Sequence, residues 1–198
     1  MRVAAHADAP AVRALFARAY VDDPLLRWIF PDEPTRLEAT AAWLGVYVER
    51  YLTARGGAAG RCRVTTAGGG VTGAALWRWP TDVFAGEHLP TTVGLLTALV
   101  GPAHAAAVGA AMASEAASRP AGPHAILHFL AVDAAHRGRG EARRLVDDGV
   151  ARAHADGLRA LLETTNPENV PVYERLGFTV HAEVRLGESG PQLWVMTR

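Results

Sequence analysis

The sequence predicts one α/β domain, a mixed β-sheet flanked by helices, and three observations carry that expectation. A strand–helix–strand unit at 125–164 implies a parallel strand pair joined by a right-handed crossover. Two β-rich runs about Gly68-Gly69-Gly70, and two more about residues 187–190, read as antiparallel hairpins. The remainder of the first 118 residues is largely helical in pattern.

In chain order, Arg2 to Ala5 reads as a first strand. Asp8 then opens a helix with Pro10 in its first turn and Val12, Leu15, Phe16 and Ala19 on its apolar face. Asp22-Asp23-Pro24 starts a second helix, and Pro31-Asp32-Glu33-Pro34 separates it from a third that runs to about residue 54, where Gly56, Gly57 and Gly60 end it. Strands are expected over 61–66 and 71–79. An Ala-rich helical stretch over about 90–118 breaks near Gly101-Pro102. A strand at 125–132, a turn at Arg137-Gly138-Arg139-Gly140 and a helix over 141–155 follow, with Gly157 as its stop. Strand 158–164, a break at Asn166-Pro167, a short helix over about 168–176 and a final hairpin (178–185, 192–197) complete the domain, 1–198.

Composition narrows the chemistry. The 198 residues are 49% hydrophobic, and 20 basic residues balance 20 acidic ones. A chain of this length buries roughly 70% of its unfolded surface without help from disulfide or metal. Zero formal charge gives no footprint for a nucleic-acid backbone or an anionic membrane. Cys62 is the lone cysteine, which excludes an intramolecular disulfide and fits a reducing, cytoplasmic compartment. All basic residues are arginines, so lysine bases and Schiff bases are excluded. The eight histidines show no ligand spacing, no metal site is expected, and no Walker or nucleophile-elbow motif occurs.

The turn at 137–142 is the sharpest local signal. It follows an apolar strand and opens a helix, whose first N–H groups lack intrahelical partners and carry the positive end of the macrodipole. Gly138 and Gly140 permit unusual dihedrals and close approach of a ligand to the backbone. Arg137, Arg139, Arg143 and Arg144 add positive charge, so the turn suits a pyrophosphate.

Leu130-Ala131-Val132, Arg137-x-x-Gly140-x-Ala142 and Asn169-x-x-x-Tyr173-x-x-x-Gly177-Phe178 together resemble the signature of the GNAT acetyltransferases. Leu162-Glu163-Thr164, the run from Pro171 to Val180 and the ending Trp194-Val195-Met196-Thr197-Arg198 are most similar to the puromycin-acetylating, antibiotic-resistance branch of that family, and Asp22-Asp23-Pro24 and the overall length agree with it. The resemblance implies a sheet whose fourth and fifth strands splay apart and hold acetyl-CoA between them. It assigns Leu130, Ala131, Val132, Arg137, Gly138, Arg139, Gly140, Glu141, Ala142, Arg143 and Asn169 to the cofactor. The family prefers a small or aliphatic residue where Glu141 stands, so the Glu141 carboxylate is expected to point to solvent at the helix N-terminus. The pantetheine arm would dock as a pseudo-strand on Leu130 and Val132, with a backbone N–H near Leu130 binding the thioester oxygen.

In that frame Tyr173 is the acid that protonates the departing thiolate, as tyrosine does at this position in the family. Three routes remain for the ammonium proton: His128, placed by strand alternation on the face of Leu130; Glu163, on the next strand; or direct loss to water. Trp28, Phe30, Asp32, Trp43, Tyr47, Trp77 and Trp79 supply aromatic and acidic groups for a cationic amine. The leading expectation is an acetyl-CoA-dependent N-acetyltransferase of small primary amines, such as an aminonucleoside antibiotic. A protein or peptide N-acetyltransferase and a non-catalytic acyl-CoA-binding module are the competing readings.

Overall fold

A computed structural model describes residues 1–53, 60–82 and 91–198. The strands are β1 (Arg2–Val3), β2 (Cys62–Ala67), β3 (Gly70–Arg78), β4 (His124–Val132), β5 (Arg159–Thr164), β6 (Thr179–Arg185) and β7 (Gln192–Thr197). They form one sheet in the order β1-β2-β3-β4-β5-β7-β6, in which only β4 and β5 run parallel. The helices are α1 (Ala9–Tyr20), α2 (Pro24–Ile29), α3 (Arg36–Thr53), α4 (Thr92–Val100), α5 (Pro102–Glu115), α6 (Glu141–Ala155) and α7 (Val170–Arg175). The expected helix end at Gly56-Gly57 and helix start near residue 90 lie outside the described residues. No helix among the described residues is long and apolar enough to cross a membrane.

Strand alternation divides the core. Ala74 and Leu76 of β3 face Val12, Phe16, Leu44 and Val48 of α1 and α3, whereas Ala75 and Trp77 face Leu145, Val146 and Val150 of α6. Asp8 does not cap α1; its carboxylate accepts hydrogen bonds from Arg2 and the Ala5 N–H instead.

Trp77 is fully buried beneath α6, which corrects its expected role as an acceptor contact. The close approach depends on Gly149, where an added Cβ would lie 2.0 Å from Trp77 Cε2. Gly149→Ala is therefore expected to lower stability by about 1–3 kcal/mol despite alanine's better helix propensity. Urea denaturation followed by tryptophan fluorescence checks this.

The feature that creates the site is an interrupted ladder. β4 and β5 pair only from His124↔Arg159 to Leu127↔Leu162. Beyond that point β4 continues along β3 as far as Val132↔Gly73, and β5 along β7 as far as Thr164↔Trp194. The strands have splayed, leaving residues 128–132 without a strand partner on one side. Leu127 and Phe129 pair with the consecutive residues Trp77 and Leu76, so His128 is an inserted bulge residue. A bulge bends its strand and ends regular pairing. It also reverses the alternation: Leu127 and Leu130 pack toward α6, whereas Phe129 and Ala131 pack toward α1 and α3. His128 faces Tyr47 and Tyr51 of α3 and does not share the face of Leu130, contrary to expectation.

Candidate active site

A cavity of about 690 Å³ runs from the glycine turn through the splay to the helices over the opposite face. At one end, Gly138 and Gly140 both take left-handed conformations, with φ of 76° and 75°. Gly140 is the N-cap of α6 and no side chain caps that helix, so its leading N–H groups are available to an anion. Arg137, Gly138, Gly140 and Ala142 line the cavity, but Arg139 and Arg143 do not. Arg143 Nη2 instead donates to the Arg175 carbonyl at 2.7 Å, tying α6 to the end of α7.

Glu141 departs from expectation. Its side chain turns inward, is buried, and accepts hydrogen bonds from Thr65 Oγ1 at 2.5 Å and Thr72 Oγ1 at 2.8 Å. Burial alone would raise its pKa, yet the two threonine hydroxyls, with His136 and Arg144 nearby, hold it below the usual carboxylate range. The carboxylate pins the start of α6 to β2 and β3, a role that a small residue could not fill.

In the splay, the Leu130 N–H is not free. It donates to the Tyr20 hydroxyl at 3.0 Å, and that hydroxyl donates to the Leu130 carbonyl, also at 3.0 Å. Tyr173 lies across the cleft with its ring edge-on to Phe178, and its hydroxyl has no hydrogen-bond partner among the described residues. Burial, with a smaller contribution from Asp23, raises its pKa, so the phenol stays protonated. Asn169 also lines the cleft. Its side chain does not cap α7, and Nδ2 lies 3.4 Å from Thr164 Oγ1.

The proposed bases differ sharply in environment. His128 Nδ1 lies 3.0 Å from the Tyr51 hydroxyl and the ring stacks on Phe129. Burial, aided by Arg78 and Arg119, pushes its pKa down to about 3, leaving a neutral, feebly basic imidazole. Glu163 is held side-on by Arg119, with contacts of 2.6 and 3.0 Å, and the same guanidinium reaches Glu115 at 2.6 Å. Burial and the neighbouring Glu163 raise Glu115 to about 8. Asp23 is different. Its hydrogen bonds, from the Leu25 N–H and Thr165 Oγ1, both fall on Oδ1, and no cation pairs with it among the described residues. Burial raises its pKa, and it is close enough to Tyr20 and Tyr173 to perturb both.

Of the expected acceptor contacts, Tyr47 and Trp43 line the cavity, and Trp28, Phe30, Asp32 and Trp77 do not. Phe30 is buried against Trp43, Trp28 bonds Ser189 in the final hairpin, and Asp32 accepts a hydrogen bond from Thr35. Trp79 is engaged by guanidiniums, Arg61 at 3.7 Å and Arg152 at 5.3 Å from its ring centroid. The sequence reading missed Tyr20, Asp23, Glu115 and Arg119. Asp23-Pro24 announced a helix start, which it is, and nothing local marked the carboxylate as a cavity wall.

Comparison with known proteins agrees with this architecture. An acetyltransferase from Corynebacterium glutamicum, described as histone acetyltransferase HPA2 and related acetyltransferase, is similar over 100% of this chain and 93% of its own, with TM-score 0.62 and 24% identity. The Drosophila melanogaster polyamine N-acetyltransferase that forms N-acetylagmatine is similar over 100% of this chain and 97% of its own, with TM-score 0.61 and 19% identity. Arylalkylamine N-acetyltransferase 2 from Aedes aegypti is similar over 99% and 96%, with TM-score 0.63 and 13% identity. These likenesses establish a shared fold. Residues 74–178, more than half of the chain and the whole of the splayed core, match the acetyltransferase (GNAT) family, and the chain belongs to that family of acyl-CoA-dependent transferases.

Proposed function

We propose that this chain transfers the acetyl group of acetyl-CoA to a primary amine of a small molecule, directly and without a covalent enzyme intermediate. The observation that carries the reading is one continuous cavity lined by an uncapped glycine helix entry, the stretch of β4 beyond its pairing with β5, Tyr173 and Asp23. The turn at 137–142 binds the diphosphate through the first N–H groups of α6, and the residues of β4 beyond the bulge align the pantetheine amides. Acetyl-CoA supplies the activated thioester. Asp23 accepts the ammonium proton and so exposes the amine lone pair that attacks the thioester carbonyl. As the carbon–sulfur bond breaks, Tyr173 gives its proton to the sulfur, and the second proton of the attacking nitrogen passes to the phenolate as the neutral amide forms. Cys62 is no acyl carrier: it is buried in the α1–α3 core with its thiol pushed up to about 12.

Trp43 and Tyr47 on the acceptor side favour a compact amine with an apolar body over an extended peptide. An aminonucleoside is one such amine, and it belongs in the panel that tests this reading. The chain is incubated with acetyl-CoA and, separately, monoamines, diamines, puromycin and peptides with free N-termini, and products are read by mass spectrometry. Amine-dependent release of coenzyme thiol with acetylation of small amines is expected. Acetylation of peptides alone would replace this reading with the protein-directed one, and tight binding without any acetylation would make the chain a non-catalytic module.

A further inference from the structure

The free edge of β4 is already occupied by part of the chain itself. Leu130 sits beyond the last β4–β5 pair, at Leu127↔Leu162, so its backbone groups on that side have no strand to bond. In this part-buried position an N–H and a C=O left unpaired are costly. One phenolic oxygen satisfies both, accepting from the N–H and donating to the carbonyl at 3.0 Å each. Only a neutral phenol can do so, and burial keeps Tyr20 neutral by raising its pKa. The ring is held edge-on by Phe16 and Phe129, at 6.1 and 5.9 Å.

We propose that Tyr20 is a stand-in for the acyl donor: its hydroxyl makes the pair of hydrogen bonds that an incoming pantetheine arm must make with Leu130, so donor binding displaces it and Tyr20 sets donor affinity. This rests on the acyl-donor reading above. The residue also stands beside the acceptor side: the Tyr20 carbonyl accepts from the Asp23 N–H at 2.9 Å, and the two residues close one turn.

The test is calorimetric titration of wild type and Tyr20→Phe with coenzyme A, paired with thermal melts of each protein free and loaded. Phenylalanine keeps the ring contacts and removes only the competing hydroxyl. The free variant loses two net hydrogen bonds that the loaded one does not need, so coenzyme A is expected to bind about tenfold tighter. The melting temperature should fall in the free variant only. An unchanged Kd with lower melting in both states would reduce Tyr20 to a structural residue, and weaker binding would make its hydroxyl a donor ligand; either overturns the proposal. As a second measurement needing no variant, the carbon-13 resonance of the Tyr20 ring carbon bearing oxygen should shift on adding coenzyme A to wild type, and its constancy would equally overturn it. Failure of wild type itself to bind coenzyme A would instead strike the acyl-donor reading on which this one stands.

Discussion

Tyr173→Phe is expected to lower kcat about 100-fold while leaving the Kd for acetyl-CoA within about twofold, as removal of a positioned acid does. The substitution keeps the edge-on contact with Phe178 and deletes a hydroxyl that has no hydrogen-bond partner among the described residues. Little folding energy is lost, so a fall in turnover reports chemistry. A thiol with an ordinary pKa near 8.5 needs only modest help to leave, and a phenol positioned at the sulfur supplies it. Burial holds the Tyr173 proton in place well past neutrality. Single-turnover release of coenzyme thiol, measured from pH 6 to pH 9 (about the neutral range), checks the assignment. An unchanged rate across that range would remove Tyr173 from the mechanism.

Asp23→Asn should cost about 100-fold in kcat/KM and, more tellingly, abolish the acid limb attributed to this carboxylate. The direction follows from burial. A proton acceptor must be ionised, and desolvation raises the Asp23 pKa above the usual value of about 3.9. Activity in wild type therefore falls as pH drops through that raised pKa, and a variant unable to ionise at this position cannot show that fall. Asparagine retains an oxygen for the Leu25 N–H and Thr165 hydroxyl, so the start of α2 survives. A pH profile of kcat/KM for both proteins is the measurement. If the limb persists in Asp23→Asn and disappears when His128 is replaced, the base is the imidazole and its depressed pKa has been relieved by substrate.

Much of the fold was legible because local rules and tertiary outcome agree. The helix over 141–155 and the strand over 192–197 follow directly from glycine punctuation and periodicity, and the break at Gly101-Pro102 separates α4 from α5 as expected. The glycine turn was legible for the same reason: positive φ at Gly138 and Gly140 is a backbone requirement written into residue type. What escaped the sequence depends on groups brought together from afar. The inward turn of Glu141 is set by threonines on β2 and β3, some seventy positions earlier. The ion pair on Glu163 needs Arg119, which stands between the expected helical stretch and the strand at 125–132 and carried no signal of its own. Strand alternation placed His128 beside Leu130, but one inserted residue in the pairing with β3 moved it to the other side of the sheet. Asp23 did both things its position allowed, capping α2 with one oxygen while facing the cleft.

The bulge in β4 also bears on how such a protein can diversify. Because the bulge is a mismatch in residue count between β3 and β4, it belongs to the main chain and does not depend on which side chain occupies position 128. Sequence change in the helices over the opposite face can therefore leave the strand register beside the β4–β5 gap untouched.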